Sequence, residues 1–184
     1  MSAPTTMKAV RIHSYGEPEA LVYEDAPLPQ IDADSLLLRI HAAGVNPVDW
    51  KTRRGRGIAD ERLRFPLILG WDVSGTVAAL GANVRGLAAG DEVYGMIGFP
   101  ELGSAYAEYA SALPAHLARK PASLDHIAAA AAWTSTVWPA RRSAASNRAC
   151  QAVSAARGTP AAAMWSRLAG LRARWAGTAL AYSA

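Results

Sequence analysis

Cysteine is almost missing from this chain of 184 residues, where Cys150 is the single example. One thiol excludes an internal disulfide framework and any metal cluster built from cysteines alone. Long hydrophobic runs are missing too. The longest, residues 127–133, falls far short of the roughly 20 residues needed to cross a bilayer. The first six residues have neither a basic start nor an apolar stretch, so no secretory signal is expected. Negative charge stops at Asp125, after which there is no Asp, no Glu and no Lys. Together these absences lead to the expectation of a soluble cytoplasmic protein.

What is present divides the chain in two. Up to Ala132 there are 12 Lys and Arg against 15 Asp and Glu, a net charge of −3. From Trp133 onward seven Arg stand alone and give +7, and the two parts sum to +4. The second stretch also holds four of the six Trp and the only Cys. A basic tail can mark affinity for nucleic acid or anionic lipid. Charge is its sole support here, so that is the weaker reading.

Residues 8–13 alternate as a strand does, and Gly16-Glu17-Pro18 stops them. Residues 21–25, 35–43, 73–80, 91–97 and 104–111 read as further strands, set apart by Gly, Pro and Asp. Residues 47–54 suit one or two helical turns opened by Pro47. Ser123 is a candidate N-cap for a helix from Leu124 through the alanine block ending at Ala132. Many short strands with few helices predict a mainly β, partly open barrel with short helices. Beyond Ala132 the alternation disappears. Met164, Leu168, Leu171 and Trp175 fall at helical spacing, a register that alanine-rich sequence readily offers.

Four stretches, in order, resemble the medium-chain dehydrogenase/reductase superfamily. They are Met7-Lys8-Ala9-Val10, Ala42-Ala43-Gly44-Val45-Asn46-Pro47-Val48-Asp49-Trp50-Lys51, Gly70-Trp71-Asp72-Val73-Ser74-Gly75-Thr76-Val77 and Gly90-Asp91-Glu92-Val93-Tyr94-Gly95. The resemblance covers about residues 7–132 and implies a GroES-like catalytic domain. Zinc-dependent members place a Cys where this chain has Asn46 and a His where it has Trp71. Neither replacement can ligate zinc as a thiolate or imidazole does, so no metal is expected. The remaining match is the zinc-independent, quinone oxidoreductase-like branch.

That resemblance implies NADPH as cofactor and a quinone or α,β-unsaturated carbonyl as the small-molecule substrate. It assigns Asn46 and Asp49 to cofactor binding, with Asn46 near the nicotinamide or its ribose and Asp49 anchoring the loop. Lys51 is the candidate catalytic residue, its ammonium meeting a ribose hydroxyl or a developing oxyanion. Trp71 and Asp72 are assigned to the substrate cleft. Plainer readings stand beside these. Asp49 can cap the short helix or pair with an Arg, and Asn46 before Pro47 can be a turn residue. Lys51 can belong to the charge run with Arg53, Arg54 and Arg56, and Trp71 and Asp72 can be core packing and a turn bond. His13, His41, His116 and His126 are read as structural.

The family's nucleotide-binding Rossmann domain would follow the helix at Leu124, and intact relatives can be homo-oligomers. Residues 133–184 contain no G-x-G-x-x-G turn to receive a pyrophosphate. The expected division is therefore 1–132 as the GroES-like domain and 133–184 as an Ala/Arg-rich tail without family resemblance. The tail's composition suggests a GC-rich gene read out of frame. Translating the other two frames past codon 132 tests this, and a Gly-rich fingerprint in neither would sink it. The chain is expected to be truncated before the Rossmann domain, with an inactive remnant as the alternative to a working reductase.

Overall fold

The computed structural model describes residues 5–136 and 179–182. Strands β1 (Thr6–Ile12), β2 (Val22–Pro27) and β4 (Leu67–Ile68) form an antiparallel sheet in the order β2-β1-β4. Strands β3 (Leu36–Val45), β5 (Asp72–Leu80), β6 (Glu92–Met96), β7 (Tyr109–Ala112) and β8 (Leu117–Arg119) form the larger sheet, ordered β7-β3-β5-β6-β8. The segment just before β7 stitches the sheets together. Val10 N–H donates to the Tyr106 carbonyl at 2.8 Å and Glu108 N–H to the Lys8 carbonyl at 3.0 Å. Ile40 N–H donates to the Glu108 carbonyl at 2.8 Å. Among the described residues the result is mainly β with two α-helices, a partly open barrel of the kind the strand pattern predicts.

Between the sheets lies the core of Val10, Ile12, Leu36, Leu38, Ile40 and Val73, with Trp71 and Tyr106. β3 shows why the site sits where it does. Its first half alternates, with Leu36, Leu38 and Ile40 buried and Arg39 exposed. Its last four residues are buried on both faces. There the helix α2 (His126–Thr136) lays Ala130 on Ala42, so both sides of the strand are covered. Small residues at 42–44 let that helix approach.

Several sequence expectations shift. The strand expected at 104–111 is only β7, because Ala105, Tyr106 and Ala107 are all buried and serve two sheets rather than one face. Helix α2 begins two residues later than expected. Asp125, not Ser123, caps it, accepting from Ala128 N–H at 2.6 Å. It also runs four residues past Ala132. Strand β9 (Ala179–Tyr182) pairs parallel with Ala42–Val45 of β3, an element the sequence reading did not anticipate. The helical register at Met164, Leu168, Leu171 and Trp175 lies outside the described residues.

Candidate functional site

Helix α1 (Pro47–Arg53) follows β3 after a single residue, Asn46. Proline at the first helical position restricts Asn46 to extended backbone, and it adopts φ −119° and ψ 162°. From there the Asp49 carboxylate reaches back, and its Oδ2 accepts the Asn46 backbone N–H at 2.5 Å. This is the reciprocal half of a capping box, with Asp49 in the place usually taken by Glu or Gln. Gly55, at φ 75°, closes the helix's far end, and the Arg53 guanidinium donates to the Gly16 carbonyl.

Asp72, the first residue of β5, joins the group from the neighbouring strand. Asn46 Nδ2 donates to Asp72 Oδ2 at 2.9 Å. Gly44 makes this approach feasible: a Cβ there would stand 2.9 Å from Asp72 Cβ and 3.2 Å from the Ala130 carbonyl oxygen. Asp49 and Asp72 are fully buried, and Asn46 is 8% exposed. Burial pushes the Asp49 carboxyl well above its usual range, and the negative Asp72 beside it adds to the push. The hydrogen bond from Asn46 N–H opposes it without winning. Tyr106 is held well above the normal phenol value, first by burial and then by the Asp49 charge.

Thus the structure brings together three of the five candidates, Asn46, Asp49 and Asp72. Lys51 is elsewhere. Two positions along the helix from Asp49, it points to solvent, with its ammonium 5.6 Å from the Trp50 ring centroid. Trp71 is 1% exposed and belongs to the main core. Its indole N–H donates to the Glu101 carbonyl at 2.6 Å and its ring meets Phe99 edge-on. Trp71 therefore lines no open surface here, whereas Asp72, the next residue along, faces Asn46. The bonds that hold Asn46 and Asp49 are also those of the plainer capping reading.

Sequence reasoning missed Tyr106, whose fully buried hydroxyl donates to the Gly44 carbonyl at 3.4 Å and feels the charge of Asp49. A tyrosine amid alanines between two strands was the available signal. It read the four histidines as structural. Two of them, His41 and His126, stack with centroids 4.5 Å apart. His41 Nε2 lies 2.9 Å from Thr76 Oγ1, while His126 spans Ser74 Oγ at 2.8 Å and Glu92 Oε1 at 3.1 Å. Among the described residues, no three His, Cys, Asp or Glu side chains are placed to hold a metal ion. No helix among them is long and apolar enough to cross a membrane. An open groove of about 610 Å³, lined by Asp32, Phe99, Glu101, Leu113 and His116, lies at the other end of β3 and includes none of the five candidates.

Residues 32–122 match the model of the alcohol dehydrogenase GroES-like domain. The chain is 39% identical over 138 residues to a 2-methylene-furan-3-one reductase of Solanum lycopersicum, covering 71% of this chain and 35% of the relative. It is 37% identical over 136 residues to an NADPH-dependent alkenal/one oxidoreductase, chloroplastic, of Arabidopsis thaliana, covering 70% and 35%. Among solved structures, the quinone oxidoreductase from Coxiella burnetii superposes with a TM-score of 0.68 at 37% identity, covering 72% of this chain and 42% of that one. The chain spans about a third of the length of the curated relatives it matches.

Proposed function

We propose that this chain, whose residues 32–122 match the alcohol dehydrogenase GroES-like domain and which resembles quinone and alkenal oxidoreductases over that region, is the catalytic-domain portion of an NADPH-dependent reductase of quinones or α,β-unsaturated carbonyls. The observation that carries this reading is the meeting of Asn46, Asp49 and Asp72 from two separate stretches at the end of β3. Two sealed carboxylates fix one asparagine that keeps an edge at the surface.

The described residues fit one end of the cofactor and not the other. Asn46 and the exposed Lys51 flank the start of α1 and suit a nicotinamide riboside. The N-termini of α1 and α2 are both capped by the chain's own side chains, α1 by Asn46 with Asp49 and α2 by Asp125, which takes up N–H groups that would otherwise meet a pyrophosphate. When bound, NADPH supplies the hydride. The protein's share is orientation and exclusion of water. Asn46 hydrogen-bonds the nicotinamide or ribose, and Asp49 and Asp72 hold Asn46 from behind. Lys51 donates from its ammonium to a ribose hydroxyl or to the oxygen that gains charge. Trp71 backs the cleft from within the core. An electron-poor acceptor needs no metal, in keeping with Asn46 and Trp71 standing where zinc-dependent members carry Cys and His.

This proposal includes the division into 1–132 and 133–184, a cytoplasmic location, and a requirement for a nucleotide-binding domain before the chain can turn over. Fluorescence titration of the full chain with NADPH is expected to show no saturable binding below about millimolar concentration, and quinone reductase activity is expected to be absent. Fusing residues 1–132 to the nucleotide-binding domain and return segment of a close relative should restore turnover, because hydride transfer needs reacting atoms about 3–3.5 Å apart. In that fusion Asn46→Ala should slow turnover more than His41→Ala. A greater loss with His41→Ala would overturn the placement of the cleft, and activity of the unfused chain would overturn the incompleteness.

A further inference from the structure

Helix α2 meets the large sheet through a histidine at its first position. His126 and Ala130 stand about one helical turn apart and so share a face. Ala130 rests on Ala42 of β3, and its carbonyl oxygen would lie 3.2 Å from a Cβ placed on Gly44, two residues before Asn46. His126 itself touches three strands. Its ring centroid lies 4.5 Å from that of His41 on β3, its Nδ1 2.8 Å from Ser74 Oγ on β5, and its Nε2 3.1 Å from Glu92 Oε1 on β6.

The Ser74 hydroxyl has one hydrogen and two acceptors within reach, His126 Nδ1 and the Val93 carbonyl at 3.2 Å. With that hydrogen on Nδ1, His126 is neutral and donates from Nε2 to Glu92. With it turned to Val93, Nδ1 donates to Ser74 and the ring is an imidazolium, still bonded to Glu92. His126 therefore gains a proton without losing a bond. His41 has no such provision. Its Nε2 lies 2.9 Å from the neutral Thr76 hydroxyl, and among the described residues it forms no ion pair. Arg39 on the same strand adds a like charge. Glu92 already serves Lys120, whose ammonium also holds the Leu124 carbonyl at 2.6 Å. The remaining groups around the pair are taken up elsewhere or carry no charge near it: Asp125 caps α2, Arg119 on β8 pairs with Asp91, and the phenol-bearing Tyr94 stands opposite Ser74 in the β5–β6 register.

We propose that the stacked His41 and His126 form a proton-operated latch on α2. The helix is fastened while at most one of the two rings is charged, and its first turns lift from the sheet when both are. A second ring charge would sit against His126 and Arg39, with Glu92 already shared between Lys120 and His126. Burial first, then His126 and Arg39, lower the His41 pKa against the pull of Glu92. The unfastened form therefore binds the extra proton more readily, and acid favours it. Lifting α2 removes the wall behind Gly44. What this does to a cofactor contact at Asn46 rests on the functional reading above, and the latch itself does not.

The test follows amide exchange in the labelled full chain by NMR, without nucleotide, from about pH 7.5 to about pH 5. After correction for the intrinsic pH dependence of exchange, residues 128–132 should open about tenfold more at the acid end, while residues 73–77 of β5 stay protected. The midpoint of that change should coincide with the titration of the His41 ring signals in the same sample. His41→Gln keeps a hydrogen-bonding group for Thr76 but cannot take up the charge, and it should remove the response. His13→Gln, just past β1, should keep it. Exchange in α2 that ignores pH, a response that survives in His41→Gln, or one that His13→Gln also removes overturns the proposal. Should His41→Gln fail to fold, the ring comparison in the parent chain still decides, and a midpoint that differs from that of His41 overturns the latch equally. Since no nucleotide is involved, failure of the fused enzyme would count against the proposed function and not against this assignment.

Discussion

Two polar groups share the β3–β5 pair and solve burial in opposite ways. At the end of β3, Asp49 and Asp72 are sealed completely, and Asn46 donates a hydrogen bond to each. Nearer the middle of the pair, His41 and His126 are only half-buried, and His126 reaches outward to Glu92, which Lys120 also holds at 3.2 Å. The first group keeps Asp49 away from water, which favours its uncharged form. The second keeps an imidazole beside a surface carboxylate. The lesson is that poise at this end of the barrel comes from burial, whereas the imidazole pair fastens α2 to the sheet.

The sharpest way to break the comparison is to remove one acid. Asp49→Leu strips the acceptor from the buried Asn46 N–H and should cost about 2–3 kcal/mol. Asp49→Asn keeps a carbonyl oxygen of the same shape and should cost under about 1 kcal/mol. Urea unfolding measures both, and equal losses would show that the acceptor at Oδ2 is not what matters. In the histidine group, Ser74→Ala removes the partner of His126 Nδ1 and should cost about 1 kcal/mol, less because α2 retains its other contacts.

Acid should separate the groups by sign. Burial and the nearby His126 lower the His41 pKa below 6.5, so its unfolded form binds more protons and stability falls as pH drops through 6.5. Asp49 is raised above 3.8, so its unfolded form binds fewer protons there, and stability falls as pH rises from 3.8 toward the folded value. Unfolding midpoints across pH should therefore flatten at the neutral side in His41→Gln and at the acid side in Asp49→Asn. A His41→Gln profile parallel to that of the parent would remove the histidines from the comparison. The smallest effect is expected from deleting residues 179–184. β3 keeps β5 and β7, and loss of β9 should show as faster amide exchange at residues 42–45 with little change in midpoint.

Much of the barrel was legible because strand periodicity is local. The apolar run that becomes β3 and the helix opened by Pro47 can be read from side-chain order alone. The reading weakened wherever one segment serves two surfaces. Ala105, Tyr106 and Ala107 show no face preference because they are buried between sheets, and residues 42–45 lose alternation beneath α2 and β9. Of the candidate residues, Asn46, Asp49 and Asp72 were found through family resemblance rather than through spacing. That resemblance carries residue identities and not side-chain directions, so it could not separate them from Lys51, which turns to solvent, or Trp71, which turns into the core.

By itself, the sequence determined the mainly β class, the start of α1 at a proline, the glycines that allow close approach, and the change of composition after Ala132. These follow from steric preferences and from polarity read along neighbouring residues. Only the tertiary structure decided that Asp49 is sealed, that Asp72 meets Asn46 from the neighbouring strand, and that two distant histidines stack. Burial and pairing across strands depend on what arrives from elsewhere in the chain, and a carboxyl's charge depends on whether water arrives with it.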